Sequence, residues 1–150
     1  MVGQGLGLRR VFARAAVPLA RGAVIAFLVA ATGCSTTGGL TKDSSAEAKR
    51  AAVTERVKGF WAARIEGNVN LAYTFMSPAS REIVSLEVFR SQLRGTGFRD
   101  AKVETVECSD AACNVRLMVT YDHRLMKGIV TPLSEKWIID EGQAWYVWGE

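Results

Sequence analysis

The sequence lacks an apolar run long enough to cross a bilayer, and it has few of the residues that bind metals. Its apolar stretch near the N-terminus covers residues 22–32, whereas a spanning helix needs roughly 20 apolar residues. The chain has one histidine, His123, and three cysteines. These shortages argue against an ordinary transmembrane anchor and leave little material for a structural zinc site. We therefore expect no bound metal and no cofactor.

Residues 34–150 also lack an excess of basic over acidic residues. The whole sequence has 19 Lys and Arg against 15 Asp and Glu, but four of the arginines lie in residues 1–33, which contain no acid. The remainder therefore has 15 basic and 15 acidic residues. Because nucleic acid binding needs a basic face, we expect no nucleic acid partner. The remainder is long enough for one small domain.

An ordered series of basic, apolar and small residues leads to Cys34. Arginines precede the apolar stretch 22–32, and Ala31-Thr32-Gly33-Cys34 ends it. This tetrapeptide resembles the lipobox of bacterial lipoproteins, which implies acyl chains on Cys34. The alternative is an ordinary cleavable signal in which Cys34 is an incidental thiol. We predict a lipoprotein signal peptide over 1–33, the lipidated Cys34 and a flexible tether over 34–44, and a folded domain over 45–150.

The same resemblance implies a location in the bacterial cell envelope. Two or more acyl chains attach a protein stably to a membrane. Ser35 stands where an Asp would retain such a protein in the inner membrane, so we expect the periplasmic face of the outer membrane. Arg9-Arg10-Val11-Phe12 resembles a twin-arginine export signal, and general secretion is the alternative route.

The two other cysteines, Cys108 and Cys113, are separated by four residues between strand-like segments. This spacing predicts a hairpin with one Cys on each strand, and an oxidising compartment would join them in a disulfide. The alternative is a metal site formed by Cys108, Cys113, His123 and a fourth ligand, for which a lone C-x4-C is weak evidence.

The first half of the domain predicts helices. Ser44-x-x-Glu47 has the form of a capping box, and apolar residues from Val53 to Ile65 recur at helical spacing. Asn68 is placed to cap a second helix that runs to about Met76. Ser77-Pro78 is typical of an N-cap followed by proline at the first helical position, and a further helix is expected over roughly 85–94.

The second half predicts strands. Segments 101–108, 115–121, 133–139 and 144–148 have strand character, with an irregularity near Thr105-Val106 and a turn over 140–143. Residues 122–132 are left as a connection. Helices followed by a strand meander indicate an α+β domain, in which the helices pack on one face of an antiparallel sheet.

Two stretches resemble the nuclear transport factor 2-like superfamily. They are "VKGFWAARIEGNVNLAYTFMSPASRE", with an aromatic near the end of a helix and a Ser-Pro corner, and "EKWIIDEGQAWYVW", a closing hairpin with a Trp on each strand. The resemblance implies N-terminal helices on a curved antiparallel sheet that forms a cone (a cystatin-like α+β fold), here without a clear early hairpin between Met76 and Gly95.

The superfamily includes both binding modules and enzymes, so fold alone does not choose between them. The sequence contains no matched acid and base, and we therefore expect a non-catalytic binding or assembly module. The alternative is a small pocket enzyme of the ketosteroid isomerase or dehydratase kind. Its candidate catalytic residues are Asp122, His123 and Glu135, where Glu135 alternates with Leu133 and Trp137 and can point inward.

Aromatic residues are the candidates for a ligand pocket or partner surface, although a core role is the ordinary alternative. Those considered are Trp61, Tyr73, Tyr121, Trp137, Trp145, Tyr146 and Trp148. Alternation along residues 144–148 places Trp145 on one face of the strand and Tyr146 with Trp148 on the other. Expected partners are the membrane, through Cys34, and an apolar small molecule or an envelope protein, with a homodimer as a further expectation.

Replacement of Cys34 by Ser tests the anchor. Because the acyl chains need the thiol, Cys34→Ser should abolish incorporation of labelled fatty acid and leave uncleaved precursor in the producing bacterium. The wild-type chain, labelled in parallel, is the control. A variant that still took up label and fractionated with membranes would exclude the lipobox.

Overall fold

A computed structural model describes residues 39–94 and 96–149 of the chain. The predicted signal peptide and residues 34–38 of the predicted tether, which include Cys34 and Ser35, lie outside the described residues. Within the described ranges, no helix is both long and apolar enough to cross a membrane.

The longest helix, α1, covers Ala46–Ile65. It begins one residue later than the predicted capping box, because the hydroxyl of Ser45 accepts the hydrogen bond from the Ala48 amide. A stripe of apolar side chains at helical spacing faces the core, namely Val53, Val57, Phe60 and Trp61. Past the helix end, Gly67 adopts a φ of 72°, a left-handed conformation that suits glycine.

Three short helices follow, and a side-chain cap begins each of them. They are α2 (Val69–Thr74), α3 (Pro78–Ile83) and α4 (Leu86–Gln92). Asn68 and Ser77 supply two of the caps, as the sequence predicts, and Ser85, at the start of the helix expected over roughly 85–94, supplies the third. The tryptophan-bearing C-terminus is tied to this region, since the hydroxyl of Ser80 accepts a hydrogen bond from the Trp148 amide.

Four antiparallel strands form a sheet in the order β1-β2-β3-β4. The strands are β1 (Thr96–Ser109), β2 (Ala112–His123), β3 (Met126–Asp140) and β4 (Gln143–Val147). The α+β prediction is therefore confirmed. The sheet is not closed, so the cone implied by the sequence resemblance is not confirmed.

Three strands are longer than the sequence pattern indicates, and β1 and β3 are extended the most. The strand β1 begins at Thr96 instead of Ala101, and β3 begins at Met126, so most of the predicted connection 122–132 is strand. Both extensions pair with β2, one on each side of it. At the end of β2, His123 lies opposite Thr96 of β1 and opposite Met126 of β3. Burial alternates along both extensions, but the polarity of the residues does not follow it, because Thr96 and Thr131 are partly buried and Val130 is exposed. The irregularity in β1 falls between Val103 and Thr105, with a second between Phe98 and Asp100.

The core lies between α1 and the inner face of the sheet. Phe60 packs edge-on against Trp61 and Trp137 and stacks on Tyr146, at 4.8 Å between ring centroids. On β3 the alternating residues Glu135, Trp137 and Ile139 are buried. The inner face of β3 therefore carries one acidic side chain among aromatic ones.

Cys108 and Cys113 face each other at the end of the β1–β2 hairpin and are joined by a disulfide. The hairpin turn between them is tight, and Asp110 has a positive φ of 50°. A bridge this close in sequence encloses few residues, so its effect on the unfolded chain lies at the low end of the range for disulfides.

We predict that Cys108 and Cys113 are bridged in protein isolated under oxidising conditions. Mass analysis without reductant should give a mass lower by two hydrogens than after reduction, and the joint change Cys108→Ser with Cys113→Ser should lower the free energy of unfolding by about 2 kcal/mol. Two thiols that react readily with an alkylating reagent in the native protein would contradict the bridge.

Candidate functional site

The most unusual polar group of the described chain is the carboxylate of Glu135, which is only 4% exposed. One carboxylate oxygen accepts a hydrogen bond from the indole Nε1 of Trp61, at 3.0 Å. The other accepts from the indole Nε1 of Trp137, at 3.1 Å. Both oxygens are thus held by tryptophans, one on α1 and one on β3.

The surroundings of Glu135 hold its acid form to unusually high pH. Burial, the main cause, raises the pKa of Glu135 from 4.5 to about 7, although the two indole donors and the charge of Arg64 favour the ionised form. Burial together with the charge of Glu135 also raises the pKa of Tyr146 to about 12. A carboxyl group in this range can exchange a proton near neutral pH.

Arg64 lies three residues after Trp61 on α1 and reaches over the same aromatic surface. Its guanidinium carbon is 4.0 Å from the ring centroid of Trp61 and 4.5 Å from that of Phe98. Burial lowers the pKa of Arg64, while the charge of Glu135 opposes that effect. The Nε atom of Arg64 is buried and has no hydrogen-bond partner among the described residues.

Two adjoining hollows flank Arg64, and we call them together the Arg64 cleft. The polar hollow, about 360 Å³, includes Arg64, Glu135 and Tyr146 in its lining. The apolar hollow, about 200 Å³, is lined mainly by aromatic and aliphatic side chains. Arg64 and Leu133 belong to both. The complete lining of the cleft is Trp61, Arg64, Gln92, Phe98, Val119, Tyr121, Thr131, Leu133, Ser134, Glu135, Tyr146, Trp148 and Gly149.

The structure brings together only part of the aromatic set considered from the sequence. Trp61, Tyr121, Tyr146 and Trp148 line the cleft. Trp137 is fully buried beneath it and contributes through its bond to Glu135.

Tyr73 and Trp145 have other positions. The hydroxyl of Tyr73 donates to the backbone carbonyl of Val84, at 2.7 Å, which ties α2 to the end of α3. Trp145 is 8% exposed and lies against the guanidinium groups of Arg56 and Arg81. Neither side chain lines the Arg64 cleft.

Asp122 and His123, the other catalytic candidates, do not meet Glu135. Val115 on β2 pairs with Glu135, and Asp122 lies seven residues farther along β2, about 23 Å away at the rise of a strand. There the Asp122 carboxylate accepts hydrogen bonds from the Arg99 guanidinium and the Gly128 amide, which lower its pKa to about 2. Its role is to join β1 to the start of β3.

Arg64 and Phe98 were not among the residues considered from the sequence, although both line the cleft. One signal was present, because residues three apart on a helix are neighbours and Arg64 follows Trp61 at that spacing. No such local signal connects Phe98 to α1, because the contact between Trp61 and Phe98 joins residues distant in sequence.

No family model and no curated protein matches the chain. Its fold is similar to that of two solved bacterial proteins, each described as SEC-C motif containing. For the protein from Rhodopseudomonas palustris the TM-score is 0.53 at 13% identity, covering 60% of this chain and 70% of that protein. For the protein from Psychrobacter arcticus the TM-score is 0.54 at 7% identity, covering 72% of this chain and 60% of that protein.

These comparisons correct the sequence resemblance. The similar structures are described as SEC-C motif containing proteins, so the assignment to a lipoprotein with a nuclear transport factor 2-like domain is wrong. The quoted motifs were a helix with an aromatic, a Ser-Pro corner and a tryptophan hairpin. Such features follow from packing helices on a meander sheet and do not identify one family. At these identities the likeness concerns the fold alone.

The pKa of Glu135 predicts how stability depends on pH. Between pH 4.5 and 7 the folded protein holds a proton that the unfolded chain has released, so this group contributes a stability that falls as pH rises through that window, by up to about 3 kcal/mol. Denaturant unfolding at pH 5, 6, 7 and 8 should show this fall in wild type relative to Glu135→Gln, in which the group cannot titrate. Parallel profiles for the two proteins would contradict the raised pKa.

Proposed function

We propose that this domain is a non-catalytic binding module and that its site is the Arg64 cleft. The observation that carries the proposal is the unused buried donor at the Nε of Arg64, in a guanidinium that lines both hollows. A buried donor without an acceptor is costly, and a bound molecule with an acceptor group would satisfy it. Ligand sites commonly combine an apolar wall with a few directed polar groups.

The chemistry of the cleft favours a small molecule with an apolar body and an acidic or other acceptor group. The apolar hollow of about 200 Å³ suits a small aromatic ring system or a short chain. Each carboxylate oxygen of Glu135 already accepts one indole hydrogen bond, whereas the Nε of Arg64 has no partner among the described residues. Arg64 is therefore the group that sets the polarity of the ligand.

The aromatic dye 8-anilinonaphthalene-1-sulfonate is a suitable probe because it joins an apolar ring system to an anion. We expect saturable binding to the folded protein, measured by fluorescence titration. Arg64→Met, which keeps an apolar stem but removes the guanidinium, should weaken binding about tenfold or more, the value of one hydrogen bond to a charged group. Trp148→Ala should also weaken it about tenfold, because the ring contributes apolar surface to the polar hollow.

Arg56→Met is the matched control. Arg56 also lies on α1 against aromatic rings, at 4.4 Å from the centroid of Phe75, but it does not line the cleft. Asp122→Asn and His123→Ala should likewise leave binding unchanged. Near-ultraviolet circular dichroism checks that every variant is folded, since the dye also binds loosened proteins. Equal affinities for wild type and Arg64→Met would overturn the proposal.

Proton transfer by Glu135 is the second candidate function. It is favoured by one observation, that a carboxyl group with a pKa of about 7 lines the polar hollow. Deuterium incorporation into the α-carbon of cyclohexanone, followed by NMR, distinguishes the two functions. Exchange that wild type accelerates and Glu135→Gln does not would establish an enzyme, whereas a binding module would leave the exchange rate at the buffer value.

A further inference from the structure

The hairpin that joins β2 to β3 ends in side chains that the fold does not explain. Arg124 and Leu125 form the turn, with His123 and Met126 paired across it. Leu125 is 97% exposed and Met126 is 60% exposed. Two-residue turns of this kind usually carry glycine, asparagine or aspartate, and Arg124 takes a left-handed φ of 51°. The backbone conformation of the turn therefore does not account for the sequence Arg-Leu-Met-Lys at this position.

Positive charge surrounds the exposed apolar pair. Arg124 precedes it, Lys127 follows it with a side chain 68% exposed, and Arg99 on the neighbouring strand is 60% exposed. The nearby acid, Asp122, is engaged by Arg99 and Lys127. The tip therefore presents apolar side chains with a surplus of cations beside them, which is the pattern of segments that enter the headgroup region of an anionic membrane.

The position of the tip allows it to reach a flat surface. Glu135 lies nine residues from Met126 along β3, so the tip is about 30 Å from Glu135, and it is about 10 Å from Tyr121, the lining residue of the Arg64 cleft that is nearest to it along the strands. Residues 124 to 128 are all exposed. A specific protein interface usually needs roughly 800 Å² from each partner, and two apolar side chains on a narrow turn supply much less. A bilayer requires no such complementary area.

We propose that the Arg124–Lys127 tip inserts into the surface of membranes rich in anionic lipid. Leu125 and Met126 enter the boundary between headgroups and acyl chains, while Arg124, Lys127 and Arg99 remain among the phosphates. The residues that enter the membrane do not line the Arg64 cleft.

A fluorescent reporter at the tip tests the insertion in the full-length chain. With Cys34→Ser removing the free thiol and Cys108 bound to Cys113, Met126→Cys carries the environment-sensitive dye nitrobenzoxadiazole. Vesicles of phosphatidylglycerol and phosphatidylcholine should shift its emission to the blue, and spin-labelled lipid chains should quench it. Ile83→Cys in the same background is the control, because Ile83 is 78% exposed but lies at the end of α3.

The reporter at position 126 then distinguishes the apolar contribution to vesicle binding from the electrostatic contribution. Leu125→Asp should weaken vesicle binding about tenfold or more, from the loss of one buried leucine. Replacement of Arg124 and Lys127 by Glu should abolish the response. The proposal is overturned if the reporters at 126 and 83 respond alike, if neither responds, or if phosphatidylcholine alone gives the full effect.

Discussion

The hydrogen bonds of the Glu135 carboxylate to two indoles are the constraint on which the candidate site depends. Trp61 belongs to α1 and Trp137 to β3, so one buried acid connects the long helix to the middle of the sheet. Buried carboxylates are costly unless their oxygens are hydrogen-bonded, and here each oxygen has a donor. The helix α1 can therefore supply a donor to the Glu135 carboxylate at only one rotation about its own axis.

That rotation of α1 also sets the position of Arg64. One turn beyond Trp61, the guanidinium extends across Trp61 and Phe98 toward the carboxylate without hydrogen-bonding to it through Nε. The proximity of Arg64 favours the charged form of Glu135, and burial favours the neutral form more strongly. The same arrangement places the polar hollow, which Glu135 lines, beside the apolar hollow. In the proposed function, a ligand that neutralises Arg64 would weaken the support that Arg64 gives to the ionised acid.

The sheet extends well beyond the part that the helices cover. At the paired ends of β1, β2 and β3, the Asp122 carboxylate joins the strands through Arg99 and the Gly128 amide. Partly buried side chains there, among them Phe98 and Tyr121, pack at the edge of the core. The turn therefore lies beyond the apolar hollow, which Phe98, Tyr121 and Thr131 line.

The sequence by itself determined the features that depend on near neighbours. Caps at Asn68, Ser77 and Ser85, the stripe of α1 and the alternation of β2 each rest on contacts within a few residues, and each is present in the structure. The tertiary structure alone decided the rest. Alternation allowed Glu135 to face inward, but its burial depends on Trp61, 74 residues away in sequence. The strand 126–132 depends on pairing with β2, because its burial does not follow an alternation of apolar and polar residues, with Thr131 partly buried and Val130 exposed. The sequence around a residue shows which residues are its neighbours in the chain. Which residues cover its side chain is determined only by the fold.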